Sequence, residues 1–195
     1  SITGRADTGL IPQLRQAPNV SGNPKEPLYM TNQCEDILQK LYQFSNSISY
    51  LGSPIVDDRL EKLEKQIGYK LPFDFKQILT KHNSFALAGI EVLGVGDDFK
   101  QTSLNDLYKF EHYEVGNPMP PELFPFSPDG YGNHYCFDLS KSDHGICPVV
   151  FWQHDITYSG KDEIEICNES FIAWIQEIMI DWTLEDTNYD GSDKA

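Results

Sequence analysis

The apolar residues of this chain change their spacing at His82–Phe85, and that switch limits the fold more than any other feature. Before it, Ile37, Leu38, Leu41, Phe44 and Ile48 recur every three or four residues. Leu60, Leu63 and Ile67 do the same, and then Phe75, Ile78 and Leu79. That spacing puts side chains on one face of a helix. After it come short apolar runs bounded by glycine, proline and polar residues: Phe85–Ala88, Ile90–Val95, Tyr131–Asp138, Pro148–Trp152 and Glu163–Cys167. These read as strands. The helical spacing returns between Glu169 and Trp182, with Phe171, Ile175, Ile178 and Trp182 on one stripe. Helices, then strands, then a helix predict an α+β fold: N-terminal helices, a mostly antiparallel twisted sheet, and a C-terminal helix packed on it.

Local punctuation refines the picture. Asn32 and Glu35 have capping-box spacing and predict a helix from Thr31, ended by Gly52-Ser53-Pro54. Asp57-Asp58 are placed to cap the second helix, and Gly68 to close it in the left-handed conformation. Pro72 suits the first position of the third, and His82-Asn83-Ser84 ends it. Asn105–Phe110 reads as a short helix. Pro118, Pro120, Pro121, Pro125 and Pro128 then argue against long regular structure before Gly130. Asn168 or Ser170 caps the last helix, whose Trp182 is expected in the core with Trp152 and Trp174. The chain thus divides into an extended arm or linker (1–29), an N-terminal helix (30–56), a main domain (57–182) and an acidic, frayed tail (183–195). Met30 stands where organised sequence begins. Two readings stay open: a native start at Met30, or a native arm before it.

Charge decides which partners are plausible. Thirty acids against fifteen bases leave a net charge of -15 in 195 residues. The arm contributes +1, whereas residues 155–195 alone carry -9. A general nucleic-acid binder needs a basic footprint, and adhesion to an anionic membrane needs the same, so both are disfavoured. No apolar run approaches the ~18 residues of a membrane-spanning helix, and Ser1–Asn19 lacks a secretory apolar stretch. A cytoplasmic protein is expected, with Cys34, Cys136, Cys147 and Cys167 reduced.

His134, Cys136 and Asp138 alternate along one strand and so share a face, the combination a cysteine nucleophile would use. Neighbours at i and i+2 lie ~7 Å apart, however, beyond hydrogen-bond reach. Cys136, flanked by Tyr135 and Phe137, reads as a small buried hydrophobe. A metal site would have to draw on His134, Cys136, His144, Cys147 and His154, whose spacings are scattered rather than paired; surface or edge histidines fit better. Asp186, Asn188, Asp190 and Gly191 spell the first half of a calcium loop, without the glutamate that completes it. No cofactor motif is present.

One ordered set of residues resembles the SMI1/KNR4 family of the SUKH superfamily. It begins with Leu60-Glu61-Lys62-Leu63-Glu64, Ile67-Gly68-Tyr69-Lys70-Leu71-Pro72, Asp74-Phe75 and Leu79. Asn83-Ser84-Phe85 follows, where the family tends to carry Asn-Gly into its first strand. Tyr135-Cys136-Phe137-Asp138, Pro148-Val149-Val150-Phe151-Trp152 and Glu169-Ser170-Phe171-Ile172 complete it. The resemblance runs from about Asp57 to Trp182. It implies a non-catalytic immunity protein that neutralises a bacterial polymorphic toxin domain, often a nuclease; the alternative is a regulatory interaction module like the eukaryotic members.

The family's motif residues look like fold determinants, so a binding surface has to be sought elsewhere. The loops that combine carboxylates with tyrosines are the candidates: Asp97, Asp98, Glu111, Tyr113, Glu114, Asp129, Tyr131, Asp155, Tyr158, Asp162 and Glu163. Tyrosine supplies apolar contact with a polar tip, and carboxylates match a cationic partner. The expected partner is a basic toxin domain, with no direct nucleic acid and no membrane, bound by a monomer or weak dimer.

Overall fold

The computed structural model describes residues 26–96 and 102–194. Its first helix, α1 (Glu26–Leu41), begins before the expected start, so Asn32 and Glu35 lie inside it and do not cap it. The helix also stops sooner. In the Ser45-Asn46-Ser47 segment the Ser45 carbonyl accepts the N–H of Ile48 and of Ser49, both at 3.0 Å, and turns the chain into β1 (Ser49–Leu51). Phe44 still reaches the core from this turn.

In α2 (Arg59–Ile67), Leu60, Leu63 and Ile67 are buried as their spacing requires, and Gly68 closes the helix at φ 78°. Asp58 makes no side-chain cap; it pairs with Lys62 at 2.8 Å, while Asp57 pairs with Arg59 at 2.8 Å. Pro72 stands just ahead of α3 (Phe73–Lys81). The buried Glu64 fastens this corner. It takes Lys70 at 2.6 Å, Lys76 at 2.7 Å and the Leu71 N–H at 3.0 Å.

β2 (Phe85–Leu87) and β3 (Ile90–Val92) form a hairpin, and β1 pairs with the far side of β2, giving an antiparallel order β1-β2-β3. Ser84, where the family prefers glycine, adopts φ 82°, the left-handed region that explains the preference. Helix α4 (Leu104–Tyr113) opens on a capping box formed by Ser103 and Asp106. It runs three residues past the expected Phe110.

The proline-rich stretch contains a strand the prolines had argued against. β4 (Leu123–Pro128) is the edge of a second sheet, order β4-β5-β6-β7, with β5 (His134–Asp138), β6 (Val149–Trp152) and β7 (Ile166–Asn168), all antiparallel. An edge strand can hold prolines because half its N–H groups have no ladder partner, and the register shifts between Pro125 and Ser127. The Leu93 N–H donates to the Phe126 carbonyl at 3.0 Å and joins the two sheets beside β3 and β4.

The last helix is continuous but not uniform: α5 (Phe171–Trp174), a π segment (Ile175–Asp181) and α6 (Trp182–Asp186). Ser170 is its cap, accepting from the Ala173 N–H at 3.1 Å, while Asn168 ends β7. Phe75 on α3 meets Phe124, Phe126, Phe137 and Phe171 edge-on or tilted, and Trp174 closes over Phe126 with ring centres 4.9 Å apart. Such aromatic contacts add to the area they bury.

Two expectations fail here. Trp182 is 49% exposed, because the wider i→i+5 turns make later side chains lag behind the α-helical stripe. The tail is not frayed. Thr187 bridges Asp193, the Tyr189 carbonyl accepts the Ser45 N–H at 2.8 Å, and the Tyr189 ring lies 4.7 Å from Phe44. Residues 187–193 thereby cover the turn after α1.

Candidate partner-binding surface

One end of the four-stranded sheet gathers most of the carboxylate and tyrosine candidates. Beyond the His134 end of β5, the Asp129 carboxylate organises the β4–β5 turn. It accepts the N–H of Tyr131 at 2.7 Å and of Asn133 at 3.0 Å, and the Asn133 amide at 2.7 Å. Burial works against the charged form of Asp129, but these donors prevail and hold its carboxyl below the usual range. The turn presents Tyr131 at its tip, 84% exposed. Asn133 Oδ1 takes the backbone N–H of His154 at 3.3 Å and contacts its ring Nδ1 at 3.0 Å, which clips the loop after β6 to this turn. Asn117, just past α4, donates to the carbonyls of His154 and Ile156, each at 3.1 Å. Asp155 is exposed in that loop, and Tyr158 lies over Trp152, ring centres 5.0 Å apart, its hydroxyl accepting the Gln153 N–H at 3.2 Å. Tyr113 and Glu114 end α4 on the approach to Asn117 and are exposed, Glu114 pairing with Lys109 at 3.1 Å.

Other candidates fall elsewhere. Glu111 is a buried member of α4, and His134 Nε2 lies 3.0 Å from its Oε1, so this carboxylate ties α4 to β5 rather than standing on the surface. His134 is accordingly a core residue, not the edge histidine expected. Asp162 pairs with Lys141 at 3.5 Å, beyond the opposite, Asp138 end of β5. Glu163 closes a local turn by accepting the Ser159 N–H at 2.8 Å. Asp97 and Asp98 lie outside the described residues.

His134, Cys136 and Asp138 share a buried face, but their side chains do not bond one another; the Cys136 thiol meets only the backbone of the trio, donating to the His134 carbonyl at 3.5 Å. Cys136 points at the Met119 sulfur, 3.8 Å away, and Asp138 accepts from the Ser140 hydroxyl at 2.6 Å. Complete burial pushes the Cys136 thiol well above its ordinary range; burial likewise lifts Cys34 to about 12 and Cys147 and Cys167 to about 11. All four are thiols at neutral pH, and the thiolate is the reactive form. Among the described residues, no three histidine, cysteine or carboxylate groups are placed to share a metal ion. No helix among them is long and apolar enough to cross a membrane.

A short groove adjoins the patch at Asp129 and Gly130, and two of its residues were missed in the sequence: Glu91 on β3 and Trp182. Glu91 gave no signal beyond its charge, and the α-helical stripe assigned Trp182 to the core.

An α+β domain built on a Glu64-centred helix corner, a paired set of antiparallel sheets and a closing helix capped from α3 is the architecture the motif residues specify. The chain belongs to the SMI1/KNR4 family (SUKH-1), whose profile matches residues 54–177. It is also similar to the SPbeta prophage-derived uncharacterized protein YokK of Bacillus subtilis (strain 168), at 26% identity over 179 residues. That alignment covers 77% of this chain and 90% of the relative.

Proposed function

We propose that this protein is a non-catalytic immunity protein that binds and neutralises a basic toxin domain, of the nuclease type, in the cytoplasm. Membership of the family supports an immunity role, and the prophage origin of one relative fits a gene carried by mobile elements. The observation that carries the reading is the patch around Tyr131. Exposed tyrosines and carboxylates converge at one end of the sheet, fixed by hydrogen bonds to the backbone. A surface held in one shape before binding loses little freedom on association. Its acidity matches the cationic groove with which a nuclease holds phosphates, so the protein would cover that groove or an adjoining exosite.

The test is co-expression with the toxin domain encoded beside the gene. Cells are expected to survive with the pair, and the two proteins to co-elute from a sizing column. Cell death without a complex would end this reading.

A further inference from the structure

We infer that the groove between the β2–β3 turn, the β4–β5 turn and Trp182 is a pocket for one arginine side chain of the protein partner, with the guanidinium between the indole face and the Glu91 carboxylate. This deepens the immunity reading and rests on it for the identity of the partner. The groove has a volume of about 370 Å³, ample room for one long side chain, and its walls include Ile90, Glu91, Ser127, Tyr135 and Trp182.

Three independent features point to a cation. Glu91 is half-buried and, among the described residues, has neither a hydrogen-bond nor an ion-pair partner. Burial alone raises its carboxyl above the ordinary range, which is the situation a bound cation would relieve. Ser127 is 1% exposed, and its hydroxyl finds no hydrogen-bond partner among the described residues. Buried polar atoms without partners are rare, and Ser127 is one of the residues that wall the groove, its hydroxyl able to accept an N–H brought in there. Trp182 is the third: an indole half-exposed on a helix whose remaining apolar residues are mostly buried. Tryptophan is the best aromatic acceptor of a cation. Guanidinium suits the combination better than ammonium does, because it is planar, stacks on an aromatic face and presents several donors at fixed angles. The pocket also continues into the Tyr131 patch through Asp129 and Gly130, so a chain crossing that patch can deliver a side chain to it.

The experiment uses the full chain labelled with 15N and follows the indole N–H signals, with Trp182 assigned from Trp182→Phe. It is titrated with N-acetyl-arginine amide and with its neutral isostere N-acetyl-citrulline amide. The arginine probe is expected to move the Trp182 signal saturably in the millimolar range and to leave those of the buried Trp152 and Trp174 in place. Citrulline should bind at least tenfold more weakly, and Glu91→Gln or Ser127→Ala should each weaken arginine binding several-fold. Equal shifts with both probes, no saturable shift, or unchanged binding in Glu91→Gln would overturn the assignment. The probe needs no toxin, so the pocket can fail while co-expression succeeds, and the reverse.

Discussion

The Asp74 carboxylate sits where two helices begin. Oδ1 accepts the Phe75 N–H of α3 at 2.9 Å, and Oδ2 accepts the Phe171 and Ile172 N–H groups at 3.1 and 3.3 Å. With Ser170 taking the Ala173 N–H, the first three donors of the last helix are all satisfied, two of them by a residue nearly a hundred positions away. Burial nevertheless dominates over these bonds and pushes the Asp74 carboxyl from 3.8 up to about 6. The folded state therefore holds the proton more tightly than the unfolded state. Its advantage is complete below about pH 4 and is lost as pH rises through about 6. A difference of roughly two pH units corresponds to roughly 3 kcal/mol. Denaturant unfolding of the protein and of Asp74→Asn between pH 4 and 7 should show the native protein losing stability relative to the variant by about that amount. Cys34 and Cys147, the nearby thiols, titrate far above this window. A difference that stays flat with pH would refute the assignment.

At the scale of the element, the position of β1 depends on a missing side chain. The Gly52 N–H donates to the Ser84 carbonyl at 2.9 Å, and a Cβ on Gly52 would stand 2.4 Å from the Asn83 carbonyl oxygen and 2.7 Å from that of Ser84. Both obstacles are backbone and cannot rotate away. Gly52→Ala should therefore push β1 off the turn before β2 and cost about 2–3 kcal/mol, read from denaturant midpoints. Gly116→Ala, with nothing within 4 Å of the added carbon, serves as the near-neutral control. The π segment acts at the same scale by a different route. It leaves Ile175, Ile178 and Met179 in the core and turns Trp182 outward.

At the scale of the whole molecule, the charge of -15 acts on encounter more than on adhesion. Long-range attraction speeds association and is screened within about 10 Å at 0.1 M salt. The association rate with a basic toxin domain, followed by stopped flow, should fall at least tenfold between 50 and 500 mM salt. Tyr131→Ala should instead raise the dissociation rate at fixed salt, because contact area acts after encounter. An association rate indifferent to salt would remove electrostatics from the proposal.

Much of the architecture was legible in residue spacing. The stripes of α2 and α3, the hairpin of β2 and β3, and the strands around Cys136 and Val150 all lie within a few residues of their expected places. Those patterns are local: burial on one face imposes a period of 3.6 or 2 whatever the rest of the chain does. The misses were tertiary. β1 forms because β2 offers an edge, and β4 tolerates proline because nothing pairs with its outer side in its own sheet. The tail is ordered by Phe44 and Ser45, and Glu111 is buried by His134 from another element. Of the surface candidates, the sequence supplied the residue types but not their grouping; Asp129, Tyr131 and Asp155 came together while Asp162 went to the far end of β5. What the sequence determined alone was the family, the α+β order and the acidity. Which acids face a partner, and that Trp182 joins them, was decided only when helix phase and strand register were set by packing against distant parts of the chain.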